Sequence, residues 1–287
     1  MTEEDPAFIK EMKVTIWGMG LMGSSLALAL RGSCRQVAGI DSDPRVVEYI
    51  LGREIVDRAS TDPAEILADA DLIILATPVG TIIRLLQSLP GLKSSPAVVM
   101  DLGSTKTDIL AAMASLPERF APIGSHPMCG KEKLGADQAD PAIFTGNPFV
   151  LVPLERTTDH ALQTGQALIE AVGGQMLQLD AATHDAWVAC TSHLPYLIAN
   201  ALAYSTPAEA APLARSGWQS TARVARTSTS MMMDILATNR SNILAALHRC
   251  QAALSDIEVM LLAEEYTVLK ARLDSGTEQY LTILNQG

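Results

Sequence analysis

Several short stretches carry residue types whose spacing could do chemistry. Gly18-Met19-Gly20-Leu21-Met22-Gly23 follows an apolar run at residues 14–17 and opens a Leu/Ala-rich segment at 21–30. A strand, this turn and a helix in succession form the context in which G-x-G-x-x-G cradles a pyrophosphate. Gly18 permits the tight turn, Gly20 lets the backbone approach the anion, and Gly23 lets helix and strand pack closely. Backbone N–H groups at the helix start, around Leu21 and Met22, would face the phosphates. Without that context the glycines would merely shape a turn. Asp41 ends the next apolar run, 37–40. A carboxylate there accepts hydrogen bonds from the adenosine ribose and repels a 2′-phosphate, so NAD is expected over NADP. Arg45 is near enough to soften that preference.

Three more segments lie where later strands should end, the side on which open α/β sheets bind ligands. They are Ala76-Thr77-Pro78, Asp101-Leu102-Gly103-Ser104-Thr105-Lys106 and Gly124-Ser125-His126-Pro127-Met128-Cys129-Gly130-Lys131-Glu132. Pro78 stops its strand, which leaves Thr77 to face a cofactor. Ser104 could cap the following helix, contact a ligand, or do both. Lys106 either orders the cofactor side of the pocket, and then belongs with the substrate-binding residues, or lies in a helical turn. Glu132 either orients the far end of a substrate or is a surface charge. His126 is a base of suitable pKa or a strand-end residue with a structural hydrogen bond.

The elements that must position these groups alternate. Strands are expected at 14–17, 37–40, 72–76, 97–102 and 122–124, with helices at 21–30, 81–88 and 106–113 and one opened by Asp43-Pro44. Strands at 149–152 and 175–179 bracket another helix and extend the sheet. After Asp180 no strand is expected, and helices at 186–203, 231–254 and 257–273 fill the remainder. The reading is therefore α/β: a polar tail (1–12), a Rossmann-type, mostly parallel sheet domain (13–180), and an all-helical substrate and dimerisation domain (181–287). So many apolar positions in that last segment suit burial against a second copy.

Of the 287 residues 48% are hydrophobic and 18% charged, which fits a compact fold rather than a disordered one. The net charge of -11, with no basic block, argues against nucleic acid. No apolar stretch reaches the roughly 20 residues that span a bilayer. Cys34, Cys129, Cys190 and Cys250 lack metal-ligand spacing. With no secretory signal in view they are read as reduced thiols of a cytoplasmic protein. Cys129 is read as apolar filler, Met231 to Met233 as core, His160 and His248 as solvated, and His184 and His193 as orienting local structure.

The chain resembles the prephenate/arogenate dehydrogenase family. The motifs that carry the resemblance are Gly18-x-Gly-Leu-Met-Gly-x-Ser-Leu-Ala, Ala76-Thr-Pro, Asp101-x-Gly-Ser-x-Lys, Gly124-Ser-His-Pro-Met-x-Gly-x-Glu and Ser192-His193-Leu194-Pro195. Residues 216–225, Asp234-Ile235-Leu236 and Asn239-Arg240 complete the series, so it runs from Lys13 to the helical region. The resemblance implies hydride transfer to NAD from C4 of a cyclohexadienol, coupled to decarboxylation at C1, in tyrosine biosynthesis. It implies His126 as the base for the C4 hydroxyl, Ser104 on the same hydroxyl, and Arg223 on the ring carboxylate. It also implies a homodimer formed through the helical domain, and it requires no metal.

Two segments depart from the family pattern. Tyr196 stands where His is common, and Gly217-Trp218-Gln219-Ser220 replaces Gly-Phe-Arg/Lys-Asp. These changes bear on prephenate against arogenate, with prephenate preferred. A β-hydroxyacid or imine-type dehydrogenase would place its key group on the helical domain, and a non-enzymatic NAD sensor would not need Ser104, His126 and Arg223 together.

Overall fold

The computed structural model describes residues 8–131 and 133–286. Its apolar runs build one eight-stranded sheet in the order β3-β2-β1-β4-β5-β6-β7-β8. The strands are β1 (Lys13–Trp17), β2 (Gln36–Ile40), β3 (Arg58–Ser60), β4 (Leu72–Leu75), β5 (Ala97–Asp101), β6 (Phe120–Pro127), β7 (Pro148–Val152) and β8 (Gln175–Gln178). Pairing is parallel except between β6 and β7. Trp17 lies opposite Ile40 and Leu75, and Leu75 opposite Asp101. Gly18, Asp41, Ala76 and Leu102 therefore leave the sheet at one level, on its carboxyl edge.

Alternate residues of a strand face opposite sides of the sheet, and β4 shows the consequence. Leu72 and Ile74 pack into one core layer with Ile16, Leu26 and Met100. Ile73 and Leu75 pack into the other with Val99 and Ile82. Helices α1 (Leu21–Ala29), α2 (Pro44–Gly52), α3 (Pro63–Leu67), α4 (Val79–Leu92), α5 (Thr107–Ala114) and α6 (Asp159–Ala171) accompany the strands. Asp43 caps α2 by accepting the N–H of Arg45, with Pro44 in the first turn. β3 has no apolar signature: Arg58-Ala59-Ser60 joins the sheet through its backbone pairing to β2.

Beyond β8 the described residues are helical: α7 (Ala181–Val188), a π-helical turn (Ala189–His193), α8 (Leu194–Ser205), α9 (Ser216–Ala222), a 3-10 turn (Arg223–Arg226), α10 (Thr229–Thr238), α11 (Arg240–Leu262) and α12 (Tyr266–Gln286). The expected single helices are divided. The π turn interrupts the first. The second breaks at Asn239 (φ -120°, ψ 24°), whose side-chain amide donates to the Asp185 carbonyl at 2.7 Å. The third contains a helix end. Glu264 takes φ +54°, its N–H bonds to Leu261 O and that of Glu265 to Met260 O, which together make a Schellman closure.

The chain forms two compact units, Met1–Arg240 and Ser241–Gly287. The first runs past the composition break at Asp180 because α7 and α10 dock on the sheet's helices. Asp185 receives N–H groups at the start of α5, and Asp234 receives that of Gly80 in the first turn of α4 at 3.1 Å. Each carboxylate meets the positive end of a helix. In the second unit Leu254, Leu262, Leu273, Leu281 and Leu284 are exposed along α11 and α12. Among the described residues no helix is long and apolar enough to cross a membrane, and no His/Cys/Asp/Glu cluster could hold a metal.

Candidate active site

Gly18 has φ +105°, and a Cβ on it would lie 2.6 Å from Thr77 Cγ2 and 2.7 Å from Ala76 O. A Cβ on Gly23 would lie 1.9 Å from Gly18 O, whereas one on Gly20 meets nothing within 4 Å. Two glycines thus let the chain close on itself, and the third leaves open space before α1. No side chain caps α1, so its N-terminal N–H groups keep their capacity for an anion. Asp41 accepts the N–H of Met19 at 2.8 Å and that of Asp43 at 3.0 Å, which holds its carboxylate against the turn. Arg45 is engaged by Asp43 through Nε at 3.1 Å and Nη2 at 2.7 Å. Across the crevice Pro78 is exposed and immediately precedes α4, and Thr77 Oγ1 is buried without a hydrogen-bond partner among the described residues. An open approach, an uncapped helix and an unsatisfied hydroxyl fit a dinucleotide.

Behind the second strand end lies a buried polar lattice. The Lys106 ammonium pairs with Asp101 and with the Ser125 carbonyl, and both charged side chains are 0% exposed. Asp101 also accepts the N–H groups of Gly103 at 2.7 Å and Ser125 at 3.1 Å. Burial presses the Lys106 pKa down, while Asp101 opposes that shift. Lys106, expected on the substrate wall, is enclosed and ties the Ser104 loop to β6. Of the readings open for Ser104, the helix cap does not hold: α5 is capped by Asp185, and Ser104 stays partly exposed on the loop.

His126 is half-buried near the end of β6. Its Nδ1 lies 2.9 Å from His184 Nε2, and His184 Nδ1 lies 2.8 Å from Asp185 Oδ1. Burial, then the neighbouring His184, Lys106 and His193, hold the His126 pKa well below its ordinary value against the pull of Asp185. The ring is neutral at physiological pH and able to take a proton. The orienting role read for His184 thus has an object, His126. Asp185 escaped the sequence reading; its signal was a carboxylate directly after a histidine in a helix of small residues.

Arg223 begins the 3-10 turn and is exposed. It lines a cavity of about 690 Å³ with Trp218, Gln219, Ser220 and Arg226, and His126 is not among the lining residues. Tyr196 is buried in an apolar cluster with Met232 and Ile235. Of the three methionines expected in the core, Met232 is buried but Met233 is 57% exposed, because it lies on the outer face of α10. The Cys129 thiol is pushed up to about 11 by burial, consistent with filler. Glu132 lies outside the described residues.

Residues 26–178 match the prephenate dehydrogenase nucleotide-binding domain, and residues 180–275 match the prephenate dehydrogenase dimerization domain. A prephenate dehydrogenase of Bacillus subtilis (strain 168) is 30% identical over 250 residues, covering 82% of this chain and 67% of the relative. The crystal structure of prephenate dehydrogenase from A. aeolicus, in complex with hydroxyphenyl propionate and NAD+, superposes with a TM-score of 0.87 at 25% identity. That likeness covers 96% of this chain and 99% of the other. A Synechocystis arogenate dehydrogenase superposes with a TM-score of 0.81 at 28% identity, over 95% and 100% of the two chains. With both domains matched in order behind the glycine turn, the chain belongs to the prephenate dehydrogenase family.

Proposed function

We propose that this protein is an NAD-dependent prephenate dehydrogenase, converting prephenate to 4-hydroxyphenylpyruvate by oxidative decarboxylation. The observation that carries this reading is the placement of His126 on the carboxyl edge of the sheet that bears the glycine turn, with its Nδ1 2.9 Å from His184 Nε2. The Gly18, Gly20, Leu21, Met22 and Gly23 turn would hold the pyrophosphate, Asp41 the adenosine ribose, and Thr77 and Pro78 the far wall. Bound NAD supplies the hydride acceptor for C4 of the ring.

The protein's own groups manage protons and charge. As C4 loses hydride, His126 takes the proton of the C4 hydroxyl on the ring nitrogen not engaged by His184, and the C–O bond becomes a carbonyl. Ser104 donates to or accepts from that oxygen. The bond from C1 to its carboxylate then breaks, CO2 departs, and the electron pair completes the aromatic ring. The ring oxygen recovers its proton from His126. Arg223 holds a substrate carboxylate with bidentate geometry. Lys106 acts from within the lattice rather than on the substrate.

Prephenate is favoured over arogenate by the cavity beside Arg223. Among the described residues its lining includes two arginines and no carboxylate, a poor setting for an ammonium group. The exposed leucines of α11 and α12, with the dimerization-domain match, support a homodimer through the helical region. Four cysteines outside any disulfide support a cytoplasmic setting. The test is the near-ultraviolet absorbance of NADH, followed with prephenate and arogenate, each with NAD and NADP. Turnover of prephenate with NAD is expected to exceed the other three combinations, and no turnover with either substrate would remove the reading.

A further inference from the structure

The Asp185 carboxylate is surrounded by donors. Its Oδ1 receives Lys106 N–H at 2.7 Å and faces His184 Nδ1 at 2.8 Å. Its Oδ2 receives Thr107 N–H at 2.9 Å and the Thr107 hydroxyl at 2.6 Å. Backbone N–H groups can only donate, and one reaches each oxygen, an arrangement that suits an ionised carboxylate. Burial alone would raise its pKa, yet the bonds from His184, Thr107 and Lys106 hold it at about 2. An ionised oxygen at hydrogen-bond distance requires that His184 Nδ1 carry a proton.

The neutral form of histidine has one protonated ring nitrogen, so the other must accept. The His184 side chain is 1% exposed and meets its carboxylate through Nδ1 at 2.8 Å, which leaves Nε2 of the neutral ring facing His126. His184 Nε2 is then an acceptor, and the group facing it at 2.9 Å, His126 Nδ1, must donate. The protonation of one carboxylate is thus passed through two rings to the far nitrogen of His126.

We propose that His184 is a positioning residue which, anchored by Asp185, fixes His126 in the Nδ1–H tautomer and leaves Nε2 as the nitrogen that accepts the substrate proton. Free imidazole side chains in water favour the opposite tautomer, in which Nε2 is protonated and cannot act as a base. His184 therefore does more than fill space. Its contact with His126 selects the reactive form, and as His126 becomes cationic during turnover the same hydrogen bond strengthens toward Asp185. This role rests on His126 being the base, but the tautomer itself is a property of the resting protein.

The experiment is nitrogen-15 NMR of the imidazole rings in the full-length protein at neutral pH, with His126 assigned by its loss in His126→Asn. Wild-type His126 is expected to show a protonated Nδ1 and an unprotonated Nε2. His184→Phe, which removes the acceptor, is expected to shift His126 toward Nε2–H. That variant should also lower kcat for prephenate by about 100-fold or more, the scale of a wrong-tautomer defect, with KM changed by less than about 3-fold. His184→Gln puts a carbonyl oxygen near the position of Nε2, and it should keep the Nδ1–H form and recover at least about tenfold of the lost kcat. A wild-type His126 protonated at Nε2 would overturn the proposal whether or not the Phe variant folds. An unchanged tautomer and kcat in His184→Phe would also overturn it. Absence of prephenate turnover would remove the functional reading while leaving the tautomer measurement intact.

Discussion

Asp185 accepts both the backbone N–H and the hydroxyl of Thr107, at 2.9 and 2.6 Å, although 78 residues separate them. A residue of α7 thereby supplies the N-terminal cap that α5 lacks locally. Its folded pKa of about 2 lies below the ordinary 3.8, so the contribution is fully present above 3.8 and is lost as pH falls toward about 2. The shift corresponds to about 2 kcal/mol. Asp185→Asn should therefore lower the urea midpoint at neutral pH and flatten its decline through that acidic window. Parallel midpoint curves for wild type and variant would mean that Asp185 is not what titrates.

If His126 is the base proposed above, His126→Asn removes the proton acceptor while keeping a polar side chain of similar reach. Turnover is expected to fall by about 100-fold or more, the usual contribution of a positioned base. The KM for NAD should hardly change, because the glycine turn lies three strands away. Single-turnover NADH formation at saturating prephenate checks this, and near-normal turnover would assign the base elsewhere.

The parts of the site that sequence patterns expose are those whose chemistry is local. Gly18, Gly20 and Gly23 act within one turn, and Asp41 reaches Met19 across one strand pair, so spacing alone places them. Lys106 and Ser104 show the limit. Whether a lysine points outward or inward depends on an Asp101 carboxylate five residues earlier and a Ser125 carbonyl on the next strand, and neither periodicity nor motif reports that. The cap on α5 and the break at Asn239 both depend on Asp185, which is remote from each in sequence. Helix periodicity continues through Asn239 because its apolar neighbours do; a tertiary hydrogen bond ends the helix instead.

The three glycines should separate folding from cofactor binding. A methyl group on Gly20 meets nothing in the protein, so Gly20→Ala should keep its thermal midpoint while weakening NAD binding by about tenfold or more, since it occupies the space for the pyrophosphate. Gly23→Ala drives a Cβ to 1.9 Å from Gly18 O and should destabilise the fold by about 2 kcal/mol or more. Thermal melts with and without NAD make the comparison. Equal NAD affinity in Gly20→Ala would mean that the cofactor does not pass over this turn.

The proposed role of the cavity beside Arg223 in substrate choice can be tested on its own wall. Arg223 and Arg226 lie three residues apart in a 3-10 turn, where such side chains eclipse, and Gln219 and Ser220 share the same wall. Arg223→Ala should raise KM for prephenate by about 30-fold, corresponding to about 2 kcal/mol for a charge-assisted pair. Arg223→Lys should restore only part of it, because a single ammonium does not reproduce the guanidinium fork. Ser220→Asp places a carboxylate where the described lining residues include none. It should repel the carboxylates of prephenate and attract the ammonium of arogenate, moving the ratio of kcat/KM for the two substrates toward arogenate by about tenfold. Both substrates losing activity equally would mean that this wall senses carboxylates but not the amino group. An unchanged ratio with full activity would separate the cavity from the substrate altogether.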